Sequence, residues 1–81
     1  MHRFIVGRDT SCDFVVTDPA VSSRHARLEI STDGFVYVED LASRNGTFVN
    51  DKAITAKTRL KPGDQLKLGI VLFDWEAALL G

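Results

Sequence analysis

The 81-residue sequence predicts an all-β domain, a sandwich or a barrel, and three observations carry that prediction. Short bursts of period-two alternation recur, as strands with one buried face require. Turn signals separate the bursts, and helical periodicity is nearly absent. With 44% hydrophobic residues the chain can bury one core and not two, so it reads as a single domain over residues 1–81.

The first burst, Arg3 to Val6, sets Phe4 and Val6 on one face. Ala26, Leu28 and Ile30 then alternate with Arg27 and Glu29, and Phe35 and Tyr37 alternate with Val36 and Val38. Between these two strands Asp33-Gly34 signals a tight two-residue hairpin turn, because glycine reaches positive φ without steric cost. It should join a strand ending at Ile30 to one starting at Phe35. Asn50-Asp51 is a weaker hairpin signal between Phe48-Val49 and Ala53-Ile54. Lys61-Pro62-Gly63-Asp64 has the type II pattern of proline second and glycine third, and Asp18-Pro19 marks another break. Leu66 and Leu68 alternate with Gln65 and Lys67, while Val71, Phe73 and Trp75 share a face opposite Leu72 and Asp74. Only Glu76 to Leu80 suits a helix, and it is too short to stand unsupported.

A formal net charge of −1 and a pI near 6.0 argue against a general binder of nucleic acid or membrane surface, which carries a basic excess. An anion site must therefore be local. Cys12 is the only cysteine, so no intramolecular disulfide forms and no CxxC metal or redox motif exists; a reducing, cytoplasmic setting fits. No apolar run approaches the ~20 residues of a membrane span, and Met1-His2-Arg3 opens no signal-peptide pattern. The chain is expected to be soluble, with no cofactor and no metal.

Three polar clusters lie where the alternation stops: Gly7-Arg8-Asp9, Ser22-Ser23-Arg24-His25, and Ser43-Arg44-Asn45-Gly46-Thr47. Loops gather at the ends of a sandwich, so clusters distant in sequence can meet there. Together they offer guanidinium groups, hydroxyls, an amide and glycine-freed backbone N–H groups. That inventory suits a phosphate, which takes bidentate charge-assisted bonds from arginine and further bonds from hydroxyls and amides.

At these residues the sequence resembles the forkhead-associated (FHA) family. The family pattern is Gly-Arg after a strand, then Ser-x-x-His, then Ser-x-Asn-Gly-Thr followed by an aromatic, a Val and an Asn. Here it stands as Gly7-Arg8, Ser22 to His25, and Ser43-Arg44-Asn45-Gly46-Thr47-Phe48-Val49-Asn50, with the likeness running from about Phe4 to Leu68. The resemblance implies an eleven-stranded β-sandwich of two mainly antiparallel sheets, whose loops at one end hold phosphothreonine in a partner protein. Family members usually have one or two strands before Gly-Arg, so the sandwich is expected to be trimmed at its N-terminus or its edge covered otherwise. By the same resemblance Arg8 bonds the phosphate, Ser22 donates its hydroxyl to a phosphate oxygen, and Arg24 flanks the phosphate or the peptide backbone. Asn45 holds the peptide main chain, and Ser23 touches the peptide. Gly7 and Gly46 serve backbone shape, and His25 and Thr47 brace the loops.

Arg44 departs from the pattern, standing where many members have a threonine that contacts the phosphate. Either its guanidinium replaces that contact or it points to solvent. Asp51 follows Asn50 where glycine is common, a change of turn. Two other function classes compete with a phosphothreonine reader. One is a hydrolase using Ser22 or Ser23 with His25 and Asp40, disfavoured because the serines and histidine are local neighbours with no nucleophile-elbow sequence. The other is a structural FHA-like assembly module that has lost phosphate binding, which the trio Arg8, Ser22 and Asn45 argues against. The expected role is a binding module for phosphorylation-dependent protein interaction, not an enzyme.

Overall fold

The computed structural model describes residues 1–81 as two facing β-sheets. The strands are β1 (His2–Gly7), β2 (Phe14–Val15), β3 (Ala26–Ile30), β4 (Val36–Asp40), β5 (Thr47–Val49), β6 (Lys52–Ala53), β7 (Thr58–Leu60), β8 (Leu66–Leu68) and β9 (Val71–Phe73). A six-residue helix, α1 (Trp75–Leu80), ends the chain. One sheet has the order β2-β1-β3-β4-β7 and the other β6-β5-β8-β9, with every pairing antiparallel except β1 with β2. Nine strands thus stand where the family resemblance implies eleven. No helix is long and apolar enough to cross a membrane.

The alternation does what the sequence pattern demands of it. Val6, Ala26, Leu28, Val36, Val38 and Leu60 point inward from the five-stranded sheet and meet Leu66 and Leu68 from the four-stranded one. Burying each of these valine and leucine side chains contributes about 1.5–3 kcal/mol. Trp75 closes the end of the core far from the polar clusters, its Nε1–H donating to the Asp64 carbonyl at 2.9 Å. It does so as the first residue of α1 and not as a strand residue in line with Val71 and Phe73. Asp74 sets the change, capping the helix by accepting the Ala77 N–H at 3.1 Å.

Two turns match the sequence reading and one corrects it. Asn50 and Asp51 both take positive φ, 51° and 67°, the conformation a two-residue hairpin needs. Gly63 has φ 90° with an Asp64 N–H to Lys61 carbonyl bond, as a type II turn requires. At Asp33-Gly34 the turn is longer than two residues. Gly34 N–H closes onto the Ser31 carbonyl and Ser31 N–H onto the Phe35 carbonyl, so β4 begins at Val36 and Phe35 is left exposed. The Asp33 carboxylate stabilises this wider loop by accepting the Phe35 N–H.

Candidate functional site

The three polar clusters converge at one end of the sandwich, where β1 and β4 finish and β3 and β5 begin. Where β1 ends, the Arg8 N–H donates to the Ser22 carbonyl at 3.0 Å and the Asp9 N–H to the Ser23 carbonyl at 3.1 Å. The first two clusters therefore run side by side. This close approach excludes a side chain at position 7, since a Cβ on Gly7 would overlap the Ser23 carbonyl. Cys12 is buried under the same run, its thiol donating to the Ser23 carbonyl at 3.2 Å, and burial raises its pKa.

His25 fastens the second cluster to the third. Its ring is fully buried; Nδ1 accepts the Ser22 N–H at 3.0 Å and Nε2–H donates to the Gly46 carbonyl at 2.8 Å. The hydrogen-bond network assigns the proton to Nε2, because a backbone N–H can only be met by a ring lone pair. The Gly46 carbonyl also accepts the Gly69 N–H at 2.8 Å, which ties in the turn between β8 and β9.

Asp40, at the end of β4, organises the third cluster from within. Its Oδ1 accepts from the Ser43 hydroxyl and from Thr47 Oγ1–H at 2.6 Å, and its Oδ2 accepts the Ser43 N–H at 3.1 Å. Ser43 Oγ in turn accepts the Gly46 N–H at 3.0 Å. Burial opposes ionisation of Asp40, but these bonds from Ser43 and Thr47, with His25 nearby, outweigh it and hold the carboxyl below its ordinary range. The sequence reading gave Asp40 no part beyond a hypothetical triad. No such relay is assembled: Asp40 serves Ser43 and Thr47, and both ring nitrogens of His25 are spent on backbone groups.

Above this layer lies an open cavity of about 320 Å³. Arg8, Ser22, Ser23, Arg44 and Asn45 line it, with Pro19, Ala20, Val21 and Ala42 completing the wall. The sequence named the first five as ligand contacts, and Ala20, two before Ser22, as an uncharged loop position bearing on ligand selectivity. Ala42 takes a left-handed φ of 55°, which costs a non-glycine residue about 1 kcal/mol and swings the chain from β4 into the third cluster. Arg24 is exposed but does not line the cavity. Gly7, His25, Gly46 and Thr47 lie outside the wall as well.

The bonds around the rim leave specific groups free. Ser22 Oγ accepts the Arg44 N–H at 2.9 Å, so its own hydrogen remains available to donate. Asn45 Nδ2 donates to the Ala20 carbonyl at 2.7 Å, leaving Oδ1 and a second N–H. The ion pairs of the molecule engage Arg3, Arg27, Lys57 and Lys67. Arg8, Arg24 and Arg44 make no ion pair with a carboxylate, so their guanidinium groups remain free to bond a ligand.

Comparison with known proteins agrees with this geometry. The family model described as FHA domain matches residues 4–69. The FHA domain-containing protein FhaB of Mycobacterium tuberculosis is 37% identical over 65 residues, covering 80% of this chain and 41% of FhaB, so the chain spans less than half of that relative. The FHA domain of the CT664 protein from Chlamydia trachomatis superposes with a TM-score of 0.84 at 35% identity, covering 88% of this chain and 72% of that one. The N-terminal FHA domain of Rad53p from S. cerevisiae, in complex with a phosphothreonine peptide, gives a TM-score of 0.77 at 25% identity, covering 85% and 57%.

Proposed function

The chain belongs to the FHA domain family, and from that premise we propose that it binds a phosphothreonine-containing segment of a partner protein in the cavity at the loop end, in a reducing cytoplasmic setting, and catalyses no reaction. One observation carries the reading: Arg8 and Arg44, neither neutralised by a carboxylate, share a cavity with the free hydroxyl hydrogen of Ser22. A phosphate carries about −1.5 to −2 charges at neutral pH, and arginine meets it with paired charge-assisted bonds.

In this reading Arg8 and Ser22 bond the phosphate oxygens, and Arg44 adds a second guanidinium where relatives often use a hydroxyl. The bond from the Arg44 N–H to Ser22 Oγ supports both at once, because it leaves the Ser22 hydrogen free to donate and pins the Arg44 backbone. Asn45, steadied by Ala20, uses its remaining amide groups on the main chain of an extended ligand. Ser23 touches the ligand at the rim, and Arg24, outside the cavity, adds attraction along the ligand's flank. Gly7, His25, Gly46 and Thr47 keep the loops in place. The Rad53p relative, crystallised with a phosphothreonine peptide, supports the same ligand class here.

The test is calorimetry with a pool of peptides fixed at phosphothreonine and degenerate on either side, against the unphosphorylated pool. The expected affinity is of micromolar order, about −8 kcal/mol. Heat no greater than that of the unphosphorylated pool refutes the reading.

A further inference from the structure

The two outer faces of the sandwich present different chemistry to water. On the five-stranded sheet the long side chains are satisfied among themselves. Glu29 is held by Arg3 and Lys57, Arg27 pairs with Glu39, and the rings of Tyr37 and Phe35 lie under Lys57 and Arg59. The four-stranded sheet has a single ion pair, Lys67 with Asp51, for such cover. Its register sets Phe48, Lys67 and Leu72 in one cross-strand row, with Ile70 two residues from Leu72 at the turn into β9. Ile70 is 83% exposed and Leu72 59%, while Lys67 is neutralised by Asp51 at 2.8 Å. Ile70 and Leu72 wall separate hollows, the first with Phe48 and Lys67 and the second with Leu66 and Trp75, and two exposed aliphatic side chains on one sheet mark a contact surface more often than an isolated one does.

The apolar strip begins at the rim of the phosphate cavity. Phe48, Gly69, Ile70 and Lys67 help to wall a shallow hollow of about 250 Å³, and the Phe48 ring lies close against Gly46. Gly69 stands between this hollow and the phosphate cavity, in close contact with Ala20 and Asn45, which line the latter. Ile70 follows Gly69 directly in the chain, so it stands next to the residue that packs on Asn45.

We propose that the strip from Phe48 and Ile70 to Leu72 is a second contact surface for the phosphorylated partner, taking apolar side chains that lie beyond the segment held at Asn45. The proposal rests on the phosphothreonine reading and adds a requirement to it: the partner carries apolar residues at a distance from its phosphothreonine. Continuity with the phosphate cavity is what selects this occupant, since Gly69 walls the hollow of Phe48 and Ile70 and packs against Ala20 and Asn45 of the cavity.

Two peptide pools test it, both fixed at phosphothreonine, one with three degenerate residues on each side and one with twelve. Sequences selected from the long pool by the wild type should be enriched in Leu, Ile, Phe and Met outside the short window and bind about ten-fold more tightly than the short pool. The variant Ile70→Lys with Leu72→Lys should lose that enrichment and that gain, yet bind the short pool as the wild type does; Ile70→Lys alone serves if the pair fails to fold. Identical selection from the long pool by wild type and variant overturns the proposal alone. Failure of the short pool to bind wild type overturns the phosphothreonine reading and this proposal with it. Self-association of the wild type in sedimentation, abolished by the variant, assigns the strip to a second copy of the chain and equally overturns the proposal.

Discussion

Beneath the phosphate cavity, His25 and Thr47 are 0% and 1% exposed, and no buried side-chain nitrogen or oxygen lacks a partner. Around its rim, Arg8, Ser23, Arg24, Arg44 and Asn45 are all exposed, and the arginines pair with no carboxylate. The two layers come from the same three short stretches of sequence, often from adjacent residues: Arg24 beside His25, Asn45 and Gly46 beside Thr47. The difference teaches that polar residues in one motif divide by burial into those whose bonds are already made and those whose bonds await a ligand. Substitutions in the first layer should therefore be read in stability, and in the second in affinity.

The largest effect should come from the buried layer. His25→Ala leaves the Ser22 N–H without a partner in a dry site, strips the Gly46 carbonyl of one of its two donors and opens a cavity where the ring was, which together cost about 3 kcal/mol and lower Tm by more than about 10 °C. A melting temperature equal to that of the wild type would erase the division between the layers. Next comes the rim: Arg8→Ala should reduce affinity for a phosphothreonine peptide about 100-fold, the loss of charge-assisted bonds worth roughly 1.5–3 kcal/mol, while Tm stays within about 2 °C. Unfolding of this variant would move Arg8 into the structural layer.

A smaller effect is expected from acid. Because the folded pKa of Asp40 is depressed, its contribution is complete above the unfolded carboxyl value of about 3.9 and fades as pH falls through the lower folded value. Thermal melts between pH 6 and 2, endpoints chosen as roughly bracketing that carboxyl range, should show this loss, and Asp40→Asn should flatten the acid limb. An unchanged limb would show that the bonds from Ser43 and Thr47 do not depend on the charge. The smallest effect concerns Arg44, and it sharpens the rim. Arg44→Thr should retain part of the affinity and reduce the steepness of its salt dependence, since one guanidinium fewer is screened. Parallel plots of log affinity against log salt for wild type and variant would place Arg44 away from the phosphate.

Much of this was legible in the residues. Period-two alternation located β1, β3, β4, β8 and β9 because each has one face on the core, and paired turn residues located the β5–β6 hairpin. β2 and β7 escaped notice because two or three residues are too few to alternate; Phe14 and Val15 extend only because β1 is there to pair with them. Trp75 misled for another reason, its burial being equally compatible with a strand until the Asp74 cap is recognised. At the site, the chemical types were readable and the geometry was not. Arg24 has the composition of a phosphate ligand but stands beside the cavity. Asp40 had a local signal that went unused, a carboxylate three residues before Ser43 and seven before Thr47, the kind of spacing through which aspartate gathers nearby hydroxyls and N–H groups.

The contacts that close the cavity join residues far apart in the chain: Ser22 with Arg44, Ala20 with Asn45, and His25 with Gly46, separated by 22, 25 and 21 positions. They also cross the seam between the sheets, because the third cluster is the passage from β4 in one sheet to β5 in the other. Contacts of such long sequence separation exist only when the loops between them are closed, at an entropic cost that the rest of the fold must meet. A partly folded chain thus has arginines and hydroxyls but no receptor, however much local strand structure it has gained. Ligand draws only on the finished state, and at a hundred times its Kd it would deepen that state by about 2.7 kcal/mol. The receptor exists only in the folded chain, and a phosphorylated partner stabilises that chain as a whole.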